Sequence, residues 1–225
     1  LRHWKSNWSW LPEVDLLVID EFHLLNDQNR GSRLEGVITR ILRINPFLQI
    51  IGLSATMSNV KKLAEWLKGV SYSSDWRKVP LEKKIVHFKS PKEKIPLLIK
   101  QVKRCIAEDG HSLIFTNSRS RTQKLAEILQ EEGIKALHHR AGLKQNKRKK
   151  VESAYKQGKI DALVATSTLE MGLNLPARQV IIYDSYIFDG TGFSDLPVLN
   201  FIQRAGRAGR PGLDSKGEAV LFLPK

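Results

Sequence analysis

The sequence predicts an α/β protein whose parallel sheets are flanked by helices. Short apolar runs bounded by turn residues alternate with stretches of helical period through most of the 225 residues. A hydrophobic content of 41% is enough to build real cores.

The elements follow in order. An apolar strand is expected at 14–19 (VDLLVI), and a helix at 32–43, where Leu34, Val37, Ile38, Ile41 and Leu42 recur at spacings of three and four. A second strand at 48–53 (LQIIGL) leads to a helix at 59–68, with Ser58 as N-cap and Gly69 as stop. Two strands cannot bury both faces of a parallel sheet, so 1–70 is expected to be the back half of a larger domain. Residues 71–92 carry Pro80 and Pro91 and no helical stripe, which predicts an extended connector between two domains. A complete second α/β domain is expected over 93–225. Its helices fall at 93–108, 120–132, 143–157 and 196–208, and its strands at 112–116, 134–137, 161–166, 179–183 and 218–223.

Composition narrows the function classes. The 37 Lys and Arg against 23 Asp and Glu leave a net charge of +14, which favours a polyanionic partner such as nucleic acid. The single cysteine, Cys105, cannot form an internal disulfide. No apolar run reaches the length of a membrane span, and the first residues lack the apolar core of a secretion signal. An intracellular protein is expected.

Five segments carry chemistry. In VDLLVIDEFH a strand ends in Asp20 and Glu21, and ligands of open α/β sheets bind beyond the carboxyl ends of strands. Asp20 suits Mg²⁺, a hard cation that keeps several waters and borrows one or two carboxylates. Glu21 suits the base that orients and deprotonates an attacking water. In GLSATM the hydroxyls of Ser54 and Thr56 can bond back to that acidic cluster. In QRAGRAGRPG, Arg207 and Arg210 lie three apart, which on a helical turn puts them on one face. Gly206 and Gly209 beside them permit close approach, and two guanidiniums suit a phosphoryl group gaining charge. In VATSTLEMGLNLP the strand ends in Thr166, and Gly172 follows. In LIFTNSRSRTQ another strand end delivers Thr116, Asn117, Ser118 and Arg119. Both of these last segments fit contacts to phosphates, and Ser118 fits a helix N-cap equally well.

Together the five segments resemble the later motifs of superfamily-two helicases. The similarity extends to DEFHLLNDQNRGSRLE, INPFLQIIGLSATMSN, SSDWRKVPL, HHRAGL, LPARQVIIYD and QRAGRAGRPGLD. It is closest to the Ski-like branch of DExH helicases, in particular archaeal fork-repair DNA helicases and the helicase domain of polymerase theta. The resemblance implies tandem RecA-like domains, the first present as its C-terminal half. It implies ATP and Mg²⁺ as cofactors and 3′→5′ unwinding of single-stranded or forked nucleic acid, with DNA favoured over RNA. By that resemblance Asp20 holds the metal, Glu21 activates water, and Arg207 and Arg210 act as fingers on the γ-phosphate. His23 and Gln203 couple the domains, Ser54 and Thr56 relay between sites, and Gly172 lies near the nucleotide. Ser118, Arg119 and Thr166 grip the tracking strand. Phe22 stands where the family more often has an aliphatic residue, so its local packing should differ. The phosphate-cradling pattern GxxxxGK[ST] does not occur in these residues, so the chain alone is expected to hydrolyse ATP negligibly.

The stretch 184–197 contains an Asp-Gly-Thr-Gly turn flanked by Tyr186, Phe188 and Phe193, consistent with a β-hairpin. In the resembled helicases a hairpin here separates strands; aromatics packed on the domain are the plain alternative. The run of Lys144, Lys147, Arg148, Lys149 and Lys150 fits a solvated helix face or a nucleic-acid surface. His138, His139 and Cys105 form no metal set by spacing. Two other readings are an RNA helicase of the same branch and a nucleic-acid-binding module without turnover.

Overall fold

The computed structural model describes residues 9–27, 30–54, 57, 59–140, 142–166, 175–188 and 192–225. The chain divides into two compact units, Leu1–Ser74 and Asp75–Lys225.

In the first unit, strand β1 (Leu16–Ile19) pairs in parallel with β2 (Gln49–Gly52), Leu17 opposite Ile50 and Ile19 opposite Gly52. Helix α1 (Gly31–Ile44) connects them, and Ile38 and Ile41 on its apolar stripe are buried. Ile41, Leu48 and Leu11 form a small core against which Val37, Leu17 and Ile50 pack. Alternation along a strand sends neighbouring side chains to opposite faces, and Leu16, Val18, Ile51 and Leu53 are correspondingly exposed. Buried Asn45 ends α1 and donates its amide to the carbonyls of Leu11, Pro12 and Val14, tying the helix end to the entry of β1. A short helix, α2 (Val60–Trp66), follows; its expected cap, Ser58, lies outside the described residues.

The second unit is a six-stranded, all-parallel sheet. In chain order its strands are β3 (Leu81–Phe88), β4 (Ser112–Thr116), β5 (Ala136–His139), β6 (Ala162–Thr166), β7 (Gln179–Ile182) and β10 (Gly217–Pro224). Their order across the sheet is β3-β10-β7-β4-β6-β5. Helices α3 (Pro91–Ala107), α4 (Arg119–Glu131), α5 (Gln145–Lys156) and α6 (Val198–Ala205) complete it. Both faces are buried, as a parallel sheet requires. On one, Leu98 and Val102 of α3 and Leu125 and Leu129 of α4 meet Ile114, Val164, Ile181 and Val220. On the other, Tyr155 of α5 meets Leu113, Phe115, Leu163, Val180 and Ile182.

One expectation is corrected. Residues 71–92 are not a free connector: Leu81–Phe88 is the edge strand β3, in register with all eight residues of β10. Its run of charges reads as a loop because an edge strand is protected from further pairing by charges of this kind. Upstream of it, Val79 is buried and the Arg77 guanidinium donates to the backbone carbonyls of Gly206 (2.9 Å) and Ala208.

A polar ladder binds β3, β10, β7 and β4 together. Glu218 accepts from Lys84 at 2.5 Å, Arg104 at 2.6 Å and Gln179 at 2.8 Å, and Gln179 accepts from Ser112 at 3.0 Å. Burial would raise the Glu218 pKa, but these donors outweigh it and hold the carboxyl below its ordinary range. Glu218→Gln is therefore expected to cost about 1–3 kcal/mol at neutral pH, read by urea unfolding of the chain. A depressed folded-state pKa stabilises above the unfolded value and stops doing so as pH falls through the folded one. The difference between wild type and variant should thus shrink below about pH 4.

Candidate functional site

The acidic segment sits where the sequence places it, at the carboxyl end of β1. Asp20 and Glu21 are both exposed, and Asp20 Oδ1 accepts the Glu21 backbone N–H at 2.8 Å. That bond accompanies a sharp reversal, with Glu21 in the left-handed region at φ 53°. For a non-glycine residue this is an uncommon conformation, and such strain concentrates at functional sites. The turn presents both carboxylates to solvent while the chain dives inward: Phe22 and His23 are buried. Phe22 fits because its partner is Gly52, where an added Cβ would lie 2.9 Å from the ring. The unusual residue is thus absorbed by packing and leaves the acids in place.

His23 links the first two segments. Its Nδ1 is 3.3 Å from Glu21 Oε2 and 3.4 Å from Ser54 Oγ. The Phe22 amide donates to the Leu53 carbonyl at 2.7 Å, which fixes the two strand ends side by side. Thr56, the second hydroxyl expected here, lies outside the described residues. The acid pair fits a magnesium-bound phosphate: exposed hard oxygens at a strand end, with room for the waters that Mg²⁺ retains. Among the described residues no cluster of three metal-ligating side chains occurs.

The arginine segment lies wholly in the second unit. Here the helical reading is corrected: α6 ends at Ala205, and Arg207 and Arg210 both follow it. Gly209 between them adopts φ 91°, a conformation closed to most side chains, and a Cβ there would meet Val79 at 2.6 Å. The close approach that this glycine permits is that of the chain's own Val79. The loop is held by backbone: the Ala177 amide donates to the Arg207 carbonyl (2.9 Å) and Gly209 to Ala177 (2.6 Å). Arg77 adds its donors to the carbonyls on either side of Arg207. Sequence reasoning missed Arg77, although it stands in the quoted segment SSDWRKVPL; a partner 129 residues away leaves no local spacing signal.

Arg210 is aimed by Asp214. Its Nε and Nη2 donate to the two carboxylate oxygens at 2.9 and 2.8 Å, and its backbone N–H donates to Oδ2 at 2.7 Å. The Asp214 hydrogen bonds raise the Arg210 pKa, so the guanidinium stays charged at any pH of interest. Burial alone would raise the Asp214 pKa, but the bonds from Arg210 hold it low. Gln203 is half-buried on α6, one residue before Arg204, which is fully buried against the Phe115 ring.

The strand-end residues gather at the carboxyl edge of the sheet. Thr116 closes β4 and Thr166 closes β6, and the two are opposite each other in register. Ser118 takes up the cap of α4, accepting the Arg121 N–H at 3.4 Å, and meets Ser120 at 2.9 Å; Arg119 beside it is exposed. Gly172 lies outside the described residues.

A hairpin follows β7. Strands β8 (Tyr186–Phe188) and β9 (Phe193–Asp195) pair antiparallel, Phe188 opposite Phe193, with residues 189–191 of the turn outside the described set. Phe188 is 60% exposed and Phe193 74%, so neither ring is consumed by packing on the domain. On α5 the lysines at 144, 147, 149 and 150 point to solvent while Val151 and Tyr155 turn inward, a solvated basic face. His139 is buried and pairs with Glu152 at 3.1 Å.

Comparison with known proteins gives the family. Residues 93–212 match the helicase conserved C-terminal domain, and residues 1–63 match the DEAD/DEAH box helicase domain. The chain is 36% identical to an ATP-dependent DNA helicase Hel308 from Pyrobaculum calidifontis, over 98% of the chain and 37% of the relative. It is 36% identical to the protein of the same name from Pyrococcus horikoshii, over 98% of the chain and 36% of the relative. For that from Caldivirga maquilingensis the identity is 34%, over 96% and 35%. The chain therefore spans little more than a third of the length of these relatives.

Proposed function

Because the chain belongs to the superfamily-two helicases, with tandem RecA-like domains of the Hel308 type, we propose that it is motor sequence of an ATP-dependent DNA helicase. The observation that carries the proposal is the joint presence of an acid pair and an arginine pair in one chain. Exposed Asp20 and Glu21 stand on the strained strand end of one unit, and the backbone-pinned Arg207–Arg210 loop stands on the other.

When bound, magnesium–ATP would supply the scissile phosphoanhydride. Asp20 would hold the magnesium ion, which would supply positive charge against the phosphate oxygens. Glu21, exposed on its turn and paired with His23, orients the attacking water and takes its proton. Arg207 and Arg210 offset the charge that grows on the transferred phosphoryl group. His23, in reach of both Glu21 and Ser54, carries the state of the acid pair to the next strand end. If Ser118, Arg119 and Thr166 hold the strand, each cycle advances the protein along it, 3′→5′ as in the resembled helicases.

DNA is the favoured strand, in repair or recombination, which places the protein inside the cell. Among the described residues no helix is long and apolar enough to cross a membrane. The test is unwinding and ATP turnover by the full-length parent on forked DNA and forked RNA at matched salt, since phosphate contacts make affinity salt-dependent. The expected result is DNA-stimulated turnover with unwinding favouring DNA by about tenfold or more, equivalent to about 1.4 kcal/mol. Equal or better unwinding of RNA would make it an RNA helicase, and binding without turnover would make it a non-hydrolysing module.

A further inference from the structure

Asp184 lies two residues beyond the end of β7 and is fully buried, yet sequence reading singles it out for nothing. Its Oδ2 accepts the Asn117 backbone N–H at 2.9 Å and the Arg121 Nη1 at 2.7 Å. Its Oδ1 faces Lys94 Nζ at 3.5 Å, and that ammonium lies 4.0 Å from the Tyr183 ring and 4.8 Å from Phe88. A buried carboxylate persists only when donors surround it, so these contacts fix the strand ends of β4 and β7 to each other. The same Arg121 Nη1 also donates to the Tyr186 hydroxyl at 2.9 Å, which its two hydrogens permit. Tyr186 opens the hairpin. Its ring stands edge-on to Phe193 at 5.4 Å, and Phe193 lies 5.3 Å from Phe188. The hairpin base is closed by the Leu196 amide on the Ser185 carbonyl at 2.8 Å.

A continuous path thus runs from the Asn117–Arg119 loop through Asp184 and Arg121 to Tyr186 and the exposed phenylalanines. Asp184 already gives Arg121 a charged partner, and the bond to Tyr186 ties that pair to the first residue of the hairpin. We infer that Arg121 is a positioning residue that locks the hairpin to the loop gripping the nucleic-acid strand, so that wedge and grip advance as one body. The inference rests on the helicase reading and on the hairpin as its strand separator.

The test uses the full-length protein on forked DNA and measures base pairs opened per ATP hydrolysed. Arg121→Lys keeps a cation for Asp184, but lysine is one atom shorter, so an ammonium drawn to the buried carboxylate gives up the Tyr186 hydroxyl; Tyr186→Phe removes only that hydroxyl. Each is expected to lower the ratio about fivefold. Arg121→Lys should keep DNA-stimulated turnover within about twofold of wild type, with the melting midpoint lowered by no more than about 5 °C. The double variant should fall no further than the worse single, because one link is cut in both. A hairpin trimmed of 188–193 serves as reference. If trimming lowers the ratio while both point variants leave it intact, or if their effects multiply, the lock is wrong and the wedge stands. If trimming leaves the ratio intact, the wedge and the lock both fail. Should Arg121→Lys fail to accumulate, Tyr186→Phe alone decides.

Discussion

Glu21→Gln in the full-length parent is expected to bind ATP and single-stranded DNA as well as wild type and to lose ATP turnover by a factor of about 10²–10⁴. The amide keeps the size and most of the hydrogen bonding of the side chain but cannot take a proton. Glu21 is 59% exposed, and its nearest described partner is His23 at 3.3 Å, so no buried network collapses when the charge goes. The left-handed backbone at this position is unaffected by the exchange. Binding is measured by nucleotide and DNA titration, and turnover by phosphate release. Near-normal phosphate release would remove Glu21 from its role and leave the strand-end strain without a purpose.

Replacing Arg210 is expected to cost about 10³-fold or more in turnover, the range in which arginine fingers act. Arg210→Ala also strips Asp214 of its partner, so part of its effect would be on stability. Arg210→Lys separates the two: it retains a cation beside Asp214 but not the planar fork that clamps a phosphoryl group. Turnover should fall nearly as far with lysine as with alanine, while the melting midpoint should recover. The contrary pattern, with lysine restoring turnover, would reduce Arg210 to a structural partner of Asp214. Arg207 should behave similarly, since the same backbone bonds to Ala177 fix the loop that carries both.

Much of the fold was legible because burial writes itself into spacing. The α1 stripe through Val37, Ile38 and Ile41, and the runs that became β4, β6 and β7, each carry the periodicity of their own burial. Strand β3 escaped because it is an edge: its lysines and glutamate are solvated, and only pairing with β10, far along the chain, makes it a strand. The arginine loop was recognised by its residues but misread in shape. Two glycines inside a helical-looking segment mark where α6 stops, and Gly209 confirms it with its positive φ.

The candidate site divides along the same line. Asp20, Glu21 and the arginines belong to short motifs whose chemistry shows in adjacent residues. Arg77 on the carbonyls of Gly206 and Ala208, and Arg121 on Asp184, are joined only by folding. Ser118 was legible as cap or ligand, and the structure supplies the cap without testing the ligand.

On the function proposed above, Arg210 answers to the same nucleotide as Asp20 and Glu21. The most direct measurement is a pulsed electron-spin distance in the full-length protein, with labels at exposed Lys61 and Lys124, one on each unit. With single-stranded DNA and a non-hydrolysable ATP analogue bound with magnesium, the account predicts a shorter and narrower distance distribution, and Arg210→Ala should weaken that response. A distribution indifferent to nucleotide would contradict it.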